Sequence, residues 1–293
     1  MAELGELLAK GPVVADGAWG TELARRGARG ACPELWNVSN PDLVREVAAA
    51  YIAAGSRVIL TNSFGGSPFK LLPHDLDGRT EELNEKAARL SKQAAGAHAL
   101  VMASVGPTGK FLEPYGDATE EAMEDGFRRQ VKGLLAGGAD GIVIETMSDL
   151  GEAACAYRAA RAEGARTIVV TMTFERKKAG MVTMMGVNPV RAAEELTALG
   201  CDLAGANCGA GIDDMLDVVR AMAQATKLPL WIKPNAGKPR LLAGKTTHPE
   251  TAEDFGKKML AVAAAGAKVV GGCCGTTPEH IAHLARALAG RGH

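Results

Sequence analysis

What is missing from this sequence removes several functional classes. There is no basic run and no basic excess: 33 Lys and Arg stand against 34 Asp and Glu, a net charge of -1. A nucleic-acid partner is therefore not expected. No apolar stretch approaches the length of a membrane helix. The N-terminus, Met-Ala-Glu-Leu-Gly-Glu, carries acids where a signal peptide would carry lysines. A soluble, cytoplasmic chain that does not engage membranes is the expectation. The six histidines form no HxH or HExxH pattern, the six cysteines no CxxC pair, and Asp16-Gly17-Ala18-Trp19-Gly20 is not a dinucleotide fingerprint. Without a signal peptide, the cysteines read as packed thiols, metal ligands or catalytic groups rather than disulfides.

Present throughout is one repeated pattern, an apolar run, a Gly-, Asn- or Asp-containing turn, then an Ala/Leu-rich amphipathic stretch. Strands are expected over residues 12–17, 57–64, 100–106, 141–146, 167–174, 202–208, 229–235 and 268–274. Most are continuous runs such as Val-Ile-Leu or Ile-Val-Val, the mark of parallel strands buried on both faces. Asn40-Pro41-Asp42, Asn188-Pro189 and Thr277-Pro278-Glu279 start helices. Gly55, Gly138, Gly164, Gly200 and Gly266 stop them. With 47% hydrophobic residues and no linker, the 293 residues form one α/β domain over 1–293, a single (β/α)8 TIM barrel. The alternative, an open doubly wound sheet, lacks its phosphate-binding motif.

In such barrels chemistry sits at the C-terminal strand ends. There this sequence places Asp16-Gly17, residues 61–66 (Thr-Asn-Ser-Phe-Gly-Gly), Gly106-Pro107-Thr108-Gly109, Glu145-Thr146, Asn207-Cys208-Gly209, Lys233-Pro234-Asn235 and Gly272-Cys273-Cys274-Gly275. Strands six and eight are near neighbours, so Cys208 can approach Cys273 and Cys274 across strand seven. Three thiolates on rigid strand ends suit zinc with one position open. Buried thiols, or a vicinal disulfide at Cys273-Cys274, are the competing readings. A tris-thiolate zinc is too electron-rich to favour hydrolysis. It can bind a fourth thiol as thiolate and leave it nucleophilic, which points to thiol alkylation. Cys32, Cys155 and Cys201 read as small packed hydrophobes.

Asp16 and Glu145 are expected at the mouth, where a carboxylate can hold the ammonium of an amino-acid substrate. The amides of Gly17 and Ala18 would receive its carboxylate. Helix capping competes for Asp16, and a salt bridge for Glu145. Trp19 and Trp36 are candidates for the donor side. Residues 174–185, with Glu175-Arg176-Lys177-Lys178-Ala179-Gly180, read as a solvated charged turn without a catalytic role.

These segments, in this order and over essentially the whole chain, resemble the homocysteine S-methyltransferase family: Asp16-Gly17-Ala18-Trp19-Gly20-Thr21, Thr61-Asn62-Ser63-Phe64-Gly65, Gly106-Pro107-Thr108-Gly109, Glu145-Thr146, Gly205-Ala206-Asn207-Cys208, Pro234-Asn235-Ala236-Gly237 and Gly271-Gly272-Cys273-Cys274-Gly275-Thr276. The resemblance implies a zinc-dependent transfer of a methyl group to homocysteine, giving methionine. It makes Cys208, Cys273 and Cys274 the metal ligands, with Asp16, Gly17 and Glu145 as substrate contacts. Pro-Asn-Ala-Gly-Lys-Pro (residues 234–239), followed by Gly244-Lys245-Thr246, is most similar to the homocysteine module of cobalamin-dependent methionine synthase. That implies a methyl-corrinoid or methyltetrahydrofolate donor on a separate corrinoid protein. Betaine or S-methylmethionine as donor is the alternative. For betaine, Trp19, Trp36 and Tyr115 would supply an aromatic cage. Transfer to another small thiol or selenol, or a non-catalytic thiol-binding subunit, are further readings.

Overall fold

The apolar runs become strands in the computed structural model, which describes residues 4–178, 180–242 and 245–290. Eight strands, β1 Val13–Val14, β2 Val58–Ile59, β3 Leu100–Val105, β4 Gly141–Met147, β5 Ile168–Met172, β6 Leu203–Asn207, β7 Leu230–Lys233 and β8 Ala267–Val270, form one sheet. Every pairing in it is parallel, in the order β1-β8-β7-β6-β5-β4-β3-β2. A parallel bridge between Ala15 and Val58 joins the two ends into a near-closed barrel. A long helix follows each strand: Pro41–Ala53, Thr80–Ala95, Glu120–Ala136, Leu150–Ala162, Pro189–Leu199, Ile212–Ala225, Ala252–Ala264 and Pro278–Ala289. This is the expected α/β architecture. No helix of the described residues is long and apolar enough to cross a membrane.

The helix boundaries follow local chemistry. Asn188 accepts the Arg191 amide at 2.9 Å, and Thr277 pairs with His280 in a capping box. Gly200, at φ 86°, takes the left-handed exit that a side chain would strain. Asn40, by contrast, stands at its helix start without a side-chain cap.

Alternation along the strands divides the core in two. Val14, Ile59, Val101, Ile142, Val170 and Ile232 pack outward beneath the helices. Val13, Ala15, Val58, Leu60, Met102, Val143, Val169, Leu203, Trp231 and Val269 fill the barrel, with Leu4 packed among them. Two residues further along the same inward face lie Ser104, Glu145, Thr171 and Lys233, and four beyond Leu203 lies Asn207. All five are buried, so a polar ring caps an apolar plug.

The strands end earlier than their apolar runs suggest. Cys208, at φ 58°, and Gly209, at φ 54°, have left the extended conformation and turned into the mouth. The charged segment after β5 is a short hairpin, Glu175–Lys177 with Gly180–Val182, and Arg176 bonds Asp214 and Asp217 there. A second hairpin pairs Arg240–Leu242 with Lys245–Thr247. Ala179 and Gly244 lie outside the described residues.

Candidate active site

The three expected cysteines come together. Their sulfurs all lie within 4.8 Å of one another, with Cys208 and Cys274 3.9 Å apart. A tetrahedral centre with metal–sulfur bonds of about 2.3 Å needs sulfurs roughly 3.8 Å apart. Hydrogen bonds from Cys273 and then Cys274 pull the Cys208 thiol down to about 3. The same contacts push Cys274 up to about 12 and raise Cys273. A divalent cation at their centre would hold all three ionised. The Asn235 side chain bonds Cys208, while its buried Oδ1 has no partner among the described residues. Soft sulfur donors, their spacing and this oxygen together fit a thiophilic metal ion.

The backbone sets this geometry. Cys273 N bonds Pro234 O at 2.8 Å and Cys208 N bonds Lys233 O at 3.0 Å, so both cysteine loops hang from β7. Thr276 Oγ1 donates to Cys273 O at 2.7 Å and accepts from Ala18 N at 3.0 Å, tying the loop after β8 to the one after β1. Asn207 is the hub behind the cluster. Its Oδ1 accepts from Thr146 N and Thr171 Oγ1, both at 2.7 Å. Its Nδ2 donates to Thr146 Oγ1 at 2.7 Å and reaches Glu145 Oε2 at 3.5 Å and Cys273 Sγ at 3.9 Å.

A cavity of about 760 Å³ opens over the cysteines, lined on this side by Gly17, Ser104, Glu145, Thr146 and Lys233. Glu145 accepts from Ser104 Oγ, and burial raises its pKa against the opposing pull of Lys233. Asp16 is fully buried and is not part of the cavity wall. Its Oδ1 meets Lys233 Nζ at 2.5 Å; its Oδ2 accepts from Trp19 Nε1 and Leu60 N, both at 2.7 Å. The Asp16 carboxylate is thus engaged by the protein itself, through a lysine that lines the cavity. So is the amide of Ala18, which bonds Thr276. Gly17 stays at the wall, where an added Cβ would stand 2.8 Å from Thr276 and Tyr51.

Lys233 was noted at a strand end but given no role in the site. It is 2% exposed, and although burial opposes its charge, Asp16 and Glu145 outweigh that and raise its pKa. Two-residue periodicity from the core residue Trp231 would have found it. Cys32 was expected to be packed, but the 3-10 turn Pro33–Leu35 brings it to the cavity, half-buried, 3.6 Å from Glu34 Oε2. Cys155 and Cys201 are packed thiols, pushed up by burial to about 11 and about 12. Cys155 also lies near Glu120 and Glu124, but Arg158 pairs with both acids, which leaves no vacancy for a cation. Of the three aromatics considered for a cage, Trp19 lines the cavity, Trp36 packs on the core and Tyr115 is 80% exposed. Phe64 joins Trp19 at the wall.

Comparison with known proteins agrees with this geometry. A family model described as homocysteine S-methyltransferase matches residues 13–288. The chain is 30% identical to the methionine synthases of Mycobacterium leprae and Mycobacterium tuberculosis over 98% of its own length. It spans only 25% of theirs. The metallated form of the homocysteine methyltransferase MmuM from Escherichia coli superposes with a TM-score of 0.77 at 27% identity, covering 94% of this chain and 96% of that one. The carboxyl transferase domain of Rhizobium etli pyruvate carboxylase, 12% identical with a TM-score of 0.55, shares the fold alone.

Proposed function

Since the chain belongs to the homocysteine S-methyltransferase family, we propose that it is a zinc-dependent enzyme that methylates the thiol of homocysteine to give methionine. The convergence of Cys208, Cys273 and Cys274 carries this reading. Zinc held there would keep the acceptor sulfur as a nucleophilic thiolate at neutral pH. In the transfer, a bond forms between that sulfur and the methyl carbon as the donor's own bond to the methyl breaks. The donor keeps the electron pair. Glu145, buried beside the cysteines on the cavity wall, is the group we assign to the acceptor's ammonium. Asp16 acts through Lys233 rather than by contact.

For the donor, a small molecule is the reading we favour over the corrinoid, in keeping with the likeness to the E. coli homocysteine methyltransferase. The rest of the cavity lining supports the same choice: it includes Trp19, Phe64, Pro33, Pro73 and Glu34, a carboxylate 6% exposed that accepts from Gly65 N at 2.7 Å. Burial raises its pKa, and it has no ion pair among the described residues. Aromatic faces and an unpaired acid suit a methyl donor carrying positive charge on sulfur or nitrogen.

Purified zinc-loaded protein with homocysteine and either S-methylmethionine, betaine, S-adenosylmethionine or methylcobalamin should form methionine with one of the first three. Formation with methylcobalamin alone would restore the corrinoid donor; formation with none would leave a thiol-binding subunit. Glu34→Gln should raise the donor KM by about tenfold while kcat changes less, because an uncharged amide loses the attraction to a cation. Steady-state kinetics in donor concentration check this.

A further inference from the structure

Lys233 is a buried cation to which the proposed chemistry assigns no ligand contact of its own. Its ammonium has three N–H groups. Among the described residues only Asp16 Oδ1, at 2.5 Å, receives one of them. Lys233 lines the cavity and is 2% exposed. Burying an ammonium this deeply without further acceptors is costly, so a ligand that supplies them is favoured. Near it, on the same wall, stand Glu145 and the three cysteines. Glu145 Oε2 has only the long 3.5 Å contact with Asn207. One fixed cation and one fixed anion beside a thiol-binding centre are complementary to a zwitterion bearing a thiol. The backbone amide that motif reading offered to the carboxylate, Ala18 N, already bonds Thr276.

Resting on the reading above, we propose that Lys233 is the specificity-determining anchor for the α-carboxylate of the acceptor amino acid, with Asp16 holding the ammonium in place behind it. The acceptor is thereby chosen as an amino-acid thiol rather than as any small thiol. Two other lysines do not compete for this part: Lys238 pairs with Asp214 at 2.7 Å, and Lys70 Nζ lies beside Gly109.

The test compares equilibrium binding of homocysteine and of mercaptopropylamine, which is homocysteine without its carboxylate, to the zinc-loaded protein by titration calorimetry. The wild-type protein should prefer homocysteine by about tenfold or more, since the analogue leaves the buried N–H groups unpaired. Lys233→Gln should weaken homocysteine by a similar factor and the analogue by less than about threefold, closing the gap. Lys233→Arg should retain part of the preference. Equal affinity of the wild-type protein for both thiols overturns the proposal without recourse to any variant. So does a parallel loss for both in a folded, zinc-containing Lys233→Gln protein. Methionine formation in the same samples separates the two readings: turnover without carboxylate discrimination sinks only the role of Lys233. Discrimination without turnover by any donor sinks only the methyltransferase reading.

Discussion

Cys208→Ser is expected to abolish methionine formation, by about 1,000-fold or more, and to weaken zinc binding by at least roughly 100-fold. The serine fits the space and differs by one atom, so the loss is chemical rather than steric. A hydroxyl does not ionise at neutral pH and is a poor ligand for a metal that favours thiolate. Cys208 is also the sulfur on which the other two converge, through hydrogen bonds that hold it ionised. Metal content by atomic absorption, with circular dichroism to show an intact barrel, reads the effect. Full activity of the variant, or of protein stripped of metal, would refute the zinc reading. Serine at Cys155, buried among helices away from the cavity, should instead leave zinc content unchanged.

Asn207→Ala carries the second large effect, although Asn207 is not among the proposed ligands. The side chain is fully buried and supplies hydrogen bonds to both backbone and side chain of Thr146 and to Thr171. Truncation strands the Thr146 amide, a donor held in a left-handed conformation at φ 64°. Each buried group left unpaired costs about 1–3 kcal/mol, so a stability loss of roughly 3 kcal/mol is expected. The amide also reaches Cys273 and Glu145, so zinc affinity should fall about 10- to 100-fold, the range for residues that orient metal ligands. Denaturant unfolding and zinc competition by a chelator measure the two separately. Unchanged zinc affinity at lowered stability would make Asn207 purely architectural.

Two of these residues show how unevenly the site could be read. Cys208 stood out because cysteine at a strand end is rare and its chemistry narrow. Asn207, one position before it, lay within the same motif but received no role, since asparagine near a turn has many ordinary uses. Lys233 was written into the strand alternation beside Trp231, yet lysine in an apolar run looks like a strand end emerging into solvent. What gives it a partner is Asp16, 217 residues away in sequence and 2.5 Å away in space. Asp16 itself was found by motif, yet nothing local indicates that Trp19, Leu60 and Lys233 all bond its oxygens.

By itself the sequence determined the barrel, because parallel strands buried on both faces must be apolar throughout and the helices between them carry their own start and stop residues. Those are local and periodic requirements, legible within any stretch of a dozen residues. It also determined the three sulfurs, since few other residue types can do their work. The tertiary structure alone decided which charges face the ligand and which face each other. Burial makes every unpaired charge expensive, so a carboxylate is claimed by whichever cation the closed barrel brings near it, and that neighbour comes from a different strand. Closure likewise brought Cys32 and Glu34 to the cavity wall and left Tyr115 exposed.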